Sequence, residues 1–204
     1  MIRTIFPLAL VLICLIALPA CEREVEPPAI ATATAIPSAP DAGQDSSAEA
    51  SKAAPSGITY QLPAGWNRTA RSSSMRIDQA VIPGPGGSAE MAVFFFGAGG
   101  GGGVQENLER WASQVESTAS PAQETFQSNG LTIHWMDVSG TLKASTMGMG
   151  PSSDQPNSRM FAAVVEGEGG PWFFKVTGPA STLDAQRDVF LEMLRTVRTA
   201  GTSV

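Results

Sequence analysis

The sequence predicts an α+β domain, an antiparallel β-sheet with two packed helices, preceded by a disordered, lipid-anchored linker. Three observations carry that prediction. Alternating or continuous apolar runs of strand length are joined by short turn signals at residues 83–87, Asn129-Gly130 and residues 167–170, which makes adjacent strands antiparallel. Two stretches, 104–117 and 182–197, carry helical rather than strand periodicity. The composition also changes at Gly57: all four tryptophans and most phenylalanines lie beyond it. One domain over residues 57–199 follows, long enough to bury a core, with a disordered tail at 200–204.

The N-terminus is a targeting segment and is set aside before fold reasoning. Residues 1–20 read as a signal peptide: Arg3 is the positive n-region, and residues 5–18 form an apolar run interrupted by Pro7. That run is shorter than the roughly 20 residues a membrane-spanning helix needs. It closes on Leu18-Pro19-Ala20-Cys21, which resembles the bacterial lipobox. The resemblance implies cleavage before Cys21 and acylation of that cysteine, with durable anchoring by several chains. Cleavage after Ala20 with Cys21 left as a thiol is the alternative. Glu22 rather than aspartate follows, so outer-membrane sorting is the lean. Cys14 is lost with the signal, leaving no disulfide partner. Residues 22–56, rich in Ala, Pro, Ser and acidic side chains, cannot bury enough apolar surface to order themselves. As a coil they would reach roughly 30–35 Å, a tether from membrane to domain.

Within the domain, Ile58, Tyr60 and Leu62 alternate as a short strand that stops at Pro63, and Gly65-Trp66 turns the chain. Residues 75–82 form a second strand and 89–96 a third. The third is apolar on both faces, Met91/Val93/Phe95 and Ala92/Phe94/Phe96, so it is covered on both sides and central. A glycine run leads into the helix at 104–117, whose stripe is Val104, Leu108, Trp111 and Val115. Residues 124–128 and 131–138 flank Asn129-Gly130, both of which accept positive φ, and form a hairpin with Leu131, Ile133 and Trp135 facing the core. The strand continues toward Leu142. Residues 144–158 read as a loop by their Gly, Pro and Ser content. Residues 160–166 and 171–177 form a second hairpin, with Trp172, Phe174 and Val176 on one side and Lys175 and Thr177 on the other. Ser181 is the expected N-cap of the last helix, with Asp184 three residues on. That helix presents Leu183, Phe190, Met193, Leu194 and Val197.

A glycine-rich turn before Asn107-x-x-Arg110-Trp111, followed late by G-P-W-F-F-K-V-T-G-P at residues 170–179, resembles a group of uncharacterised bacterial lipoproteins. Their domain is similar to the Mog1/PsbP-like fold. The resemblance implies a sandwich without a shared enzymatic activity, whose members are largely binding or assembly accessory proteins. Fold alone does not assign function.

The net charge of −6 and scattered basic residues argue against nucleic acid as a partner. Gly97, Gly99 and Gly102 satisfy G-x-G-x-x-G, but any glycine run does. The strands lack a βαβ repeat, and Glu106 and Glu109 occupy the helix start where a phosphate would sit. The run Gly99, Gly100, Gly101, Gly102, Gly103 is therefore an architectural join and a possible ligand or partner surface. Whether five glycines serve flexibility or close approach stays open at this point. His134, the only imidazole, lies with Thr132, Met136 and Val138, and no G-x-S-x-G elbow accompanies it. Met147 and Met149 with Met160 offer thioethers suited to Cu(I), and Glu166 with Glu168 could hold a hard cation loosely. Loop contacts and a solvated turn are the plainer readings. Asn67-Arg68-Thr69 is a glycosylation sequon without meaning in a bacterial lipoprotein. The expectation is a non-enzymatic envelope lipoprotein without a cofactor, held to the membrane by its anchor and binding a protein partner. A small-ligand or Cu(I)-binding lipoprotein is the alternative, and a hydrolase using His134 ranks last.

Overall fold

The computed structural model describes residues 57–145, 150–167 and 169–201. The signal segment, Cys21, the linker, Met147, Met149, Glu168 and residues 202–204 lie outside them. The strands are β1 (Ile58–Thr59), β2 (Asn67–Arg68), β3 (Arg76–Ile82), β4 (Ala89–Phe95), β5 (Val115–Glu116), β6 (Ala122–Ser128), β7 (Leu131–Leu142), β8 (Gln155–Glu166), β9 (Trp172–Pro179) and β10 (Arg198–Thr199). The helices are α1 (Val104–Ala112), α2 (Ala180–Leu183) and α3 (Arg187–Arg195).

Among the described residues one antiparallel sheet of eight strands runs β2-β3-β4-β9-β8-β7-β5, with β6 also on the outer edge of β7. β1 and β10 form a separate two-stranded pair. The sheet is α+β in class, with helices on both faces. On one face β4, β7, β8 and β9 present Met91, Val93, Ile133, Trp135, Phe161, Phe174 and Val176, all buried under Phe190 and Leu194 of α3 together with Ile58, Tyr60 and Trp66. On the other face Met136, Val138, Met160, Ala162, Val164 and Phe173 meet Leu108 and Trp111 of α1. The expected inward set Leu131, Ile133 and Trp135 is buried, and β4 is an interior strand covered on both sides.

The hairpin signal is realised: Asn129 and Gly130 both have positive φ, 51° and 77°. Asn129 does a second task, because its Nδ2 donates to the carbonyls of Arg195 (2.9 Å) and Val197 (2.8 Å). The Arg195 carbonyl also accepts from Ser128 Oγ at 2.8 Å, so the β6–β7 turn meets the free carbonyls at the end of α3.

Several boundaries differ from the sequence reading, each for a tertiary reason. The third strand ends at Phe95, and Phe96 is 48% exposed, because the chain leaves the sheet at Gly97 with φ 77°. The helix expected to reach Ser117 stops at Ala112, since Val115 and Glu116 pair with Leu142 and Thr141 as β5. The expected loop at 144–158 contains the start of β8, because β7 extends far enough to pair Gln155 and Ser158. The final helix is broken into α2 and α3. Ser181 lies inside α2 rather than capping it, with Pro179 in the cap position. Asp184 accepts from Arg159 Nη1 at 2.7 Å instead of serving a capping box. β2 and β10, two residues each, carry no readable periodicity.

Candidate functional site

The glycine run now has a physical account. Gly99, Gly101 and Gly102 adopt φ between 72° and 83°, a region other residues rarely enter. A Cβ on Gly100 would collide with the Phe96 carbonyl oxygen, and one on Gly101 would lie 2.5 Å from the Phe173 ring. Gly103 alone has ordinary extended geometry (φ −73°) and open space around its Cα. Four of the five glycines thus answer demands of the chain itself.

The N-x-x-R-W motif is the other half of that join. Asn107, 1% exposed, donates from Nδ2 to the carbonyls of Gly101 and Gly103, each at 2.8 Å. Arg110 donates to Asn107 Oδ1, and Trp111 packs edge-on to Phe173, 6.1 Å between centroids. None of the five glycines lines either cavity described below.

A concavity lies elsewhere, on the α1 face, beyond the end of α1. It is a half-open cleft of about 820 Å³ whose floor is formed by β3, β4, β9 and β8. Register builds the floor. Lys175 on β9 is paired with Ala92 on β4 and Ala162 on β8, so small side chains flank it on both sides and leave it room. One pair further along, Thr177 stands between Glu90 and Met160. Arg76 reaches in from β3, its Nη1 2.5 Å from Glu90 Oε1, while Gln79 Nε2 donates to Glu90 Oε2 at 3.0 Å. Both carboxylate oxygens of Glu90 are thereby occupied.

The walls are also placed by specific contacts. Thr182 Oγ1 accepts from the Gly86 N–H (3.1 Å) and donates to the Gly87 carbonyl (2.7 Å), clasping the 83–87 turn onto α2. That clasp sets Gly86, Ser88 and Ser181 along one rim. On the opposite rim, a register shift between β7 and β8 after Gly140 accompanies Asn157, which has φ 53°. Asn157 and Pro156 separate the cleft from a shallower hollow of about 430 Å³ beside Glu116 and Thr141. A bulge that re-aims a strand end is a recurrent device beside binding sites.

Lys175 is the chemically distinctive group. Its Nζ donates to Gln114 Oε1 at 2.5 Å, just past the end of α1, and that is its only side-chain partner among the described residues. Burial, helped by Arg110 and Arg76 and opposed by Glu90, pulls its pKa down to about 8. A half-buried ammonium without a carboxylate partner opposes folding stability. Sequence reasoning placed Lys175 on the outward side of the strand but assigned it no role. The available signal was a lysine inside a strand whose neighbours are apolar on both faces.

His134 lies with Thr132, Met136 and Val138, as its alternation predicts. It stands between two partners, Nδ1 2.9 Å from Thr125 Oγ1 and Nε2 2.7 Å from Glu166 Oε2. The chain is hydroxyl, imidazole and carboxylate in order, but it lies midway along the β6–β7 hairpin and does not line the cleft. Glu166 is engaged with His134 rather than poised for a cation. Met160 is fully buried beneath α1, so its thioether belongs to the core, while Met147 and Met149 lie outside the described residues. No group of three or more His, Cys, Asp or Glu converges to hold a metal ion among the described residues. No helix among them is long and apolar enough to cross a membrane.

No protein-family model matches the chain, and a search of curated proteins returns no match.

Proposed function

We propose that this protein is a lipid-anchored lipoprotein of the bacterial envelope whose domain is a non-catalytic binding or assembly-accessory module, similar in fold to the Mog1/PsbP-like group. The observation that carries the binding reading is the cleft, where polar and charged groups are fixed on interior strands beyond the end of α1. The groups it offers are hydroxyls, Arg76 and Lys175 held on rigid elements, an arrangement suited to recognition. The two motifs that carry the resemblance support the fold assignment, since one forms the join into α1 and the other the interior strand β9 beneath it. The lipobox-like Leu18-Pro19-Ala20-Cys21 supports the anchor.

A photo-cross-linking residue at Ser72, on the cleft rim, and at Glu192, on the exposed side of α3, tests the binding surface in living cells. The Ser72 position is expected to give a discrete envelope adduct and Glu192 none. Equal labelling from both, or a turnover abolished by His134→Ala, overturns the proposal. Cys21→Ser is expected to abolish palmitate incorporation and release the protein from the membrane fraction; retention in that fraction overturns the anchor.

A second reading, a small-ligand site, is favoured by the cleft volume of about 820 Å³. Small-molecule sites run from roughly 300 to 1,000 Å³.

A further inference from the structure

Overall the chain carries a net charge of −6, yet two cations, Arg76 and Lys175, line the cleft with one carboxylate, Glu90, and Arg110 adds its positive charge to the field at Lys175. Two positive groups less one negative leave a local excess of +1 on its lining, in an acidic protein. The charges are not equivalent. Arg76 is discharged against Glu90, and Arg110 is turned toward Asn107 and the Trp111 ring. Lys175 keeps N–H donors beyond the one used on Gln114, and it lines the cavity. The alanines on either side keep its approach open. Around it Ser88, Ser158, Ser181 and Thr177 supply hydroxyls.

From this we infer that the cleft binds a small ligand through one carboxylate group, received by Lys175 Nζ with hydroxyl and amide contacts from the rim. The inference rests on the binding reading above and adds the ligand class. A single available ammonium matches a monoanion. A phosphate dianion is ordinarily met by several donors, arginine forks or a helix N-terminus, and the glycine-run end of α1 does not line the cleft. The carboxylate could come from the C-terminus of a short peptide or from an acidic sugar, and both fit the hydroxyl-rich rim.

The test uses the full chain in detergent, with Lys175 followed by NMR through its 15Nζ and Cε signals. Titrants are N-acetyl-Ala-Ala and its C-terminal amide, galacturonate and galactose, and inorganic phosphate, each to about 10 mM, where even millimolar binding registers. At least one carboxylate titrant is expected to shift the Lys175 signals saturably, and its neutral counterpart is not. The peptide and sugar arms identify the source. Lys175→Met is expected to weaken that binding about 10- to 100-fold, the value of a charge-assisted contact, and Lys175→Arg to retain most of it. Affinity should also fall as pH rises through about 8, as the ammonium deprotonates beside Arg76, Arg110 and Glu90. Equal shifts from acid and neutral titrants, tighter binding of phosphate, or an unaffected Lys175→Met variant overturns the carboxylate assignment while leaving a binding cleft. Silence from every titrant, with the Ser72 cross-link intact, overturns the small-ligand inference alone; loss of both removes the binding reading as well.

Discussion

The two faces of the sheet are built from the same strands and end in opposite states. Each is crossed by a helix of nine residues, α3 on one and α1 on the other. Nine residues span about 14 Å, whereas seven strands side by side spread over roughly 30 Å. A single short helix therefore cannot cover a face. The α3 face is completed by other parts of the chain: Ile58, Tyr60 and Trp66 from the N-terminal side, Leu183 from α2 and Val197 near β10. Among the described residues the α1 face is crossed by α1, with Val115 of the edge strand β5 packed beside it, and the part beyond α1 is the cleft. A sheet face closes when several separate segments converge on it, and it is left open where they do not.

On the closed face Trp135 Nε1 and Trp172 Nε1 are buried without a protein acceptor among the described residues. Each such group costs about 1–3 kcal/mol, which packing of the large rings offsets. Its charged groups are paired: Asp78 accepts from the Tyr60 hydroxyl and from Arg68 Nε at 3.0 Å. Asp137 receives Arg159 Nε at 2.8 Å and Nη2 at 2.6 Å, while Arg159 Nη1 holds Asp184 in the break between α2 and α3. The α1 face carries the reverse, a lysine with one neutral partner.

That contrast can be broken most forcefully at Phe190, which is fully buried and stacked 5.6 Å from Phe161. Phe190→Ala is expected to destabilise the domain by about 3–5 kcal/mol, the range for deleting a buried aromatic ring, read as a lower urea midpoint at unchanged slope. A loss below about 1 kcal/mol would mean the closed face is not the main core.

Next in size is Gly101→Ala, which combines a left-handed backbone with a Cβ against Phe173. A loss of about 1–3 kcal/mol is expected, with Trp111 fluorescence altered because Phe173 is its packing partner. A neutral result would show that the join yields easily.

Lys175→Met should act in the opposite direction, raising stability at pH 7 by about 1–2 kcal/mol, because it removes a half-buried ammonium lacking an opposite charge. The sign follows from its pKa, about 8 in the folded chain against the ordinary lysine value of 10.5. Between those values the unfolded chain binds more protons, so the parent protein gains stability as pH rises from about 8 to 10.5. The variant should lack that rise. Thermal midpoints measured across this range decide it, and a rise that persists in Lys175→Met assigns it to another group.

The smallest effect is expected at Gly103, the one glycine of the run with neither a positive φ nor a close neighbour for a Cβ. Gly103→Ser adds a capping hydroxyl to α1 and reduces unfolded-chain entropy, a gain of about 0.5 kcal/mol. Calorimetry would detect it as a small upward shift. A loss would mean that Gly103, too, is constrained.

Much of the architecture was legible in the sequence because its signals are local. Period-two alternation marked β7 and β9, Asn129-Gly130 marked the hairpin, and the two-sided apolarity of residues 89–96 marked an interior strand. The stripe Leu108/Trp111 marked the buried side of α1. The errors fall where a distant partner overrode local preference. Thr182 was drawn to the 83–87 turn and Asp184 to Arg159, which together break the last helix. The reach of β7 recruited Gln155–Ser158 into β8.

The candidate site belongs to the second category. Arg76 and Glu90 lie on neighbouring strands and Lys175 far along the chain, and the registers Arg76↔Phe94, Ala92↔Lys175 and Glu90↔Thr177 bring them to one floor. No window of sequence contains that pairing. The amino-acid sequence by itself determined the interior strands β4, β7 and β9, the buried stripe of α1, the inward set of the closed core, and the turn at Asn129-Gly130, because these depend on each residue's own backbone and its immediate neighbours. Tertiary structure alone decided why the glycine run is needed, which face stays open and which lysine stands in it, because those depend on register and on which remote segments cover each face.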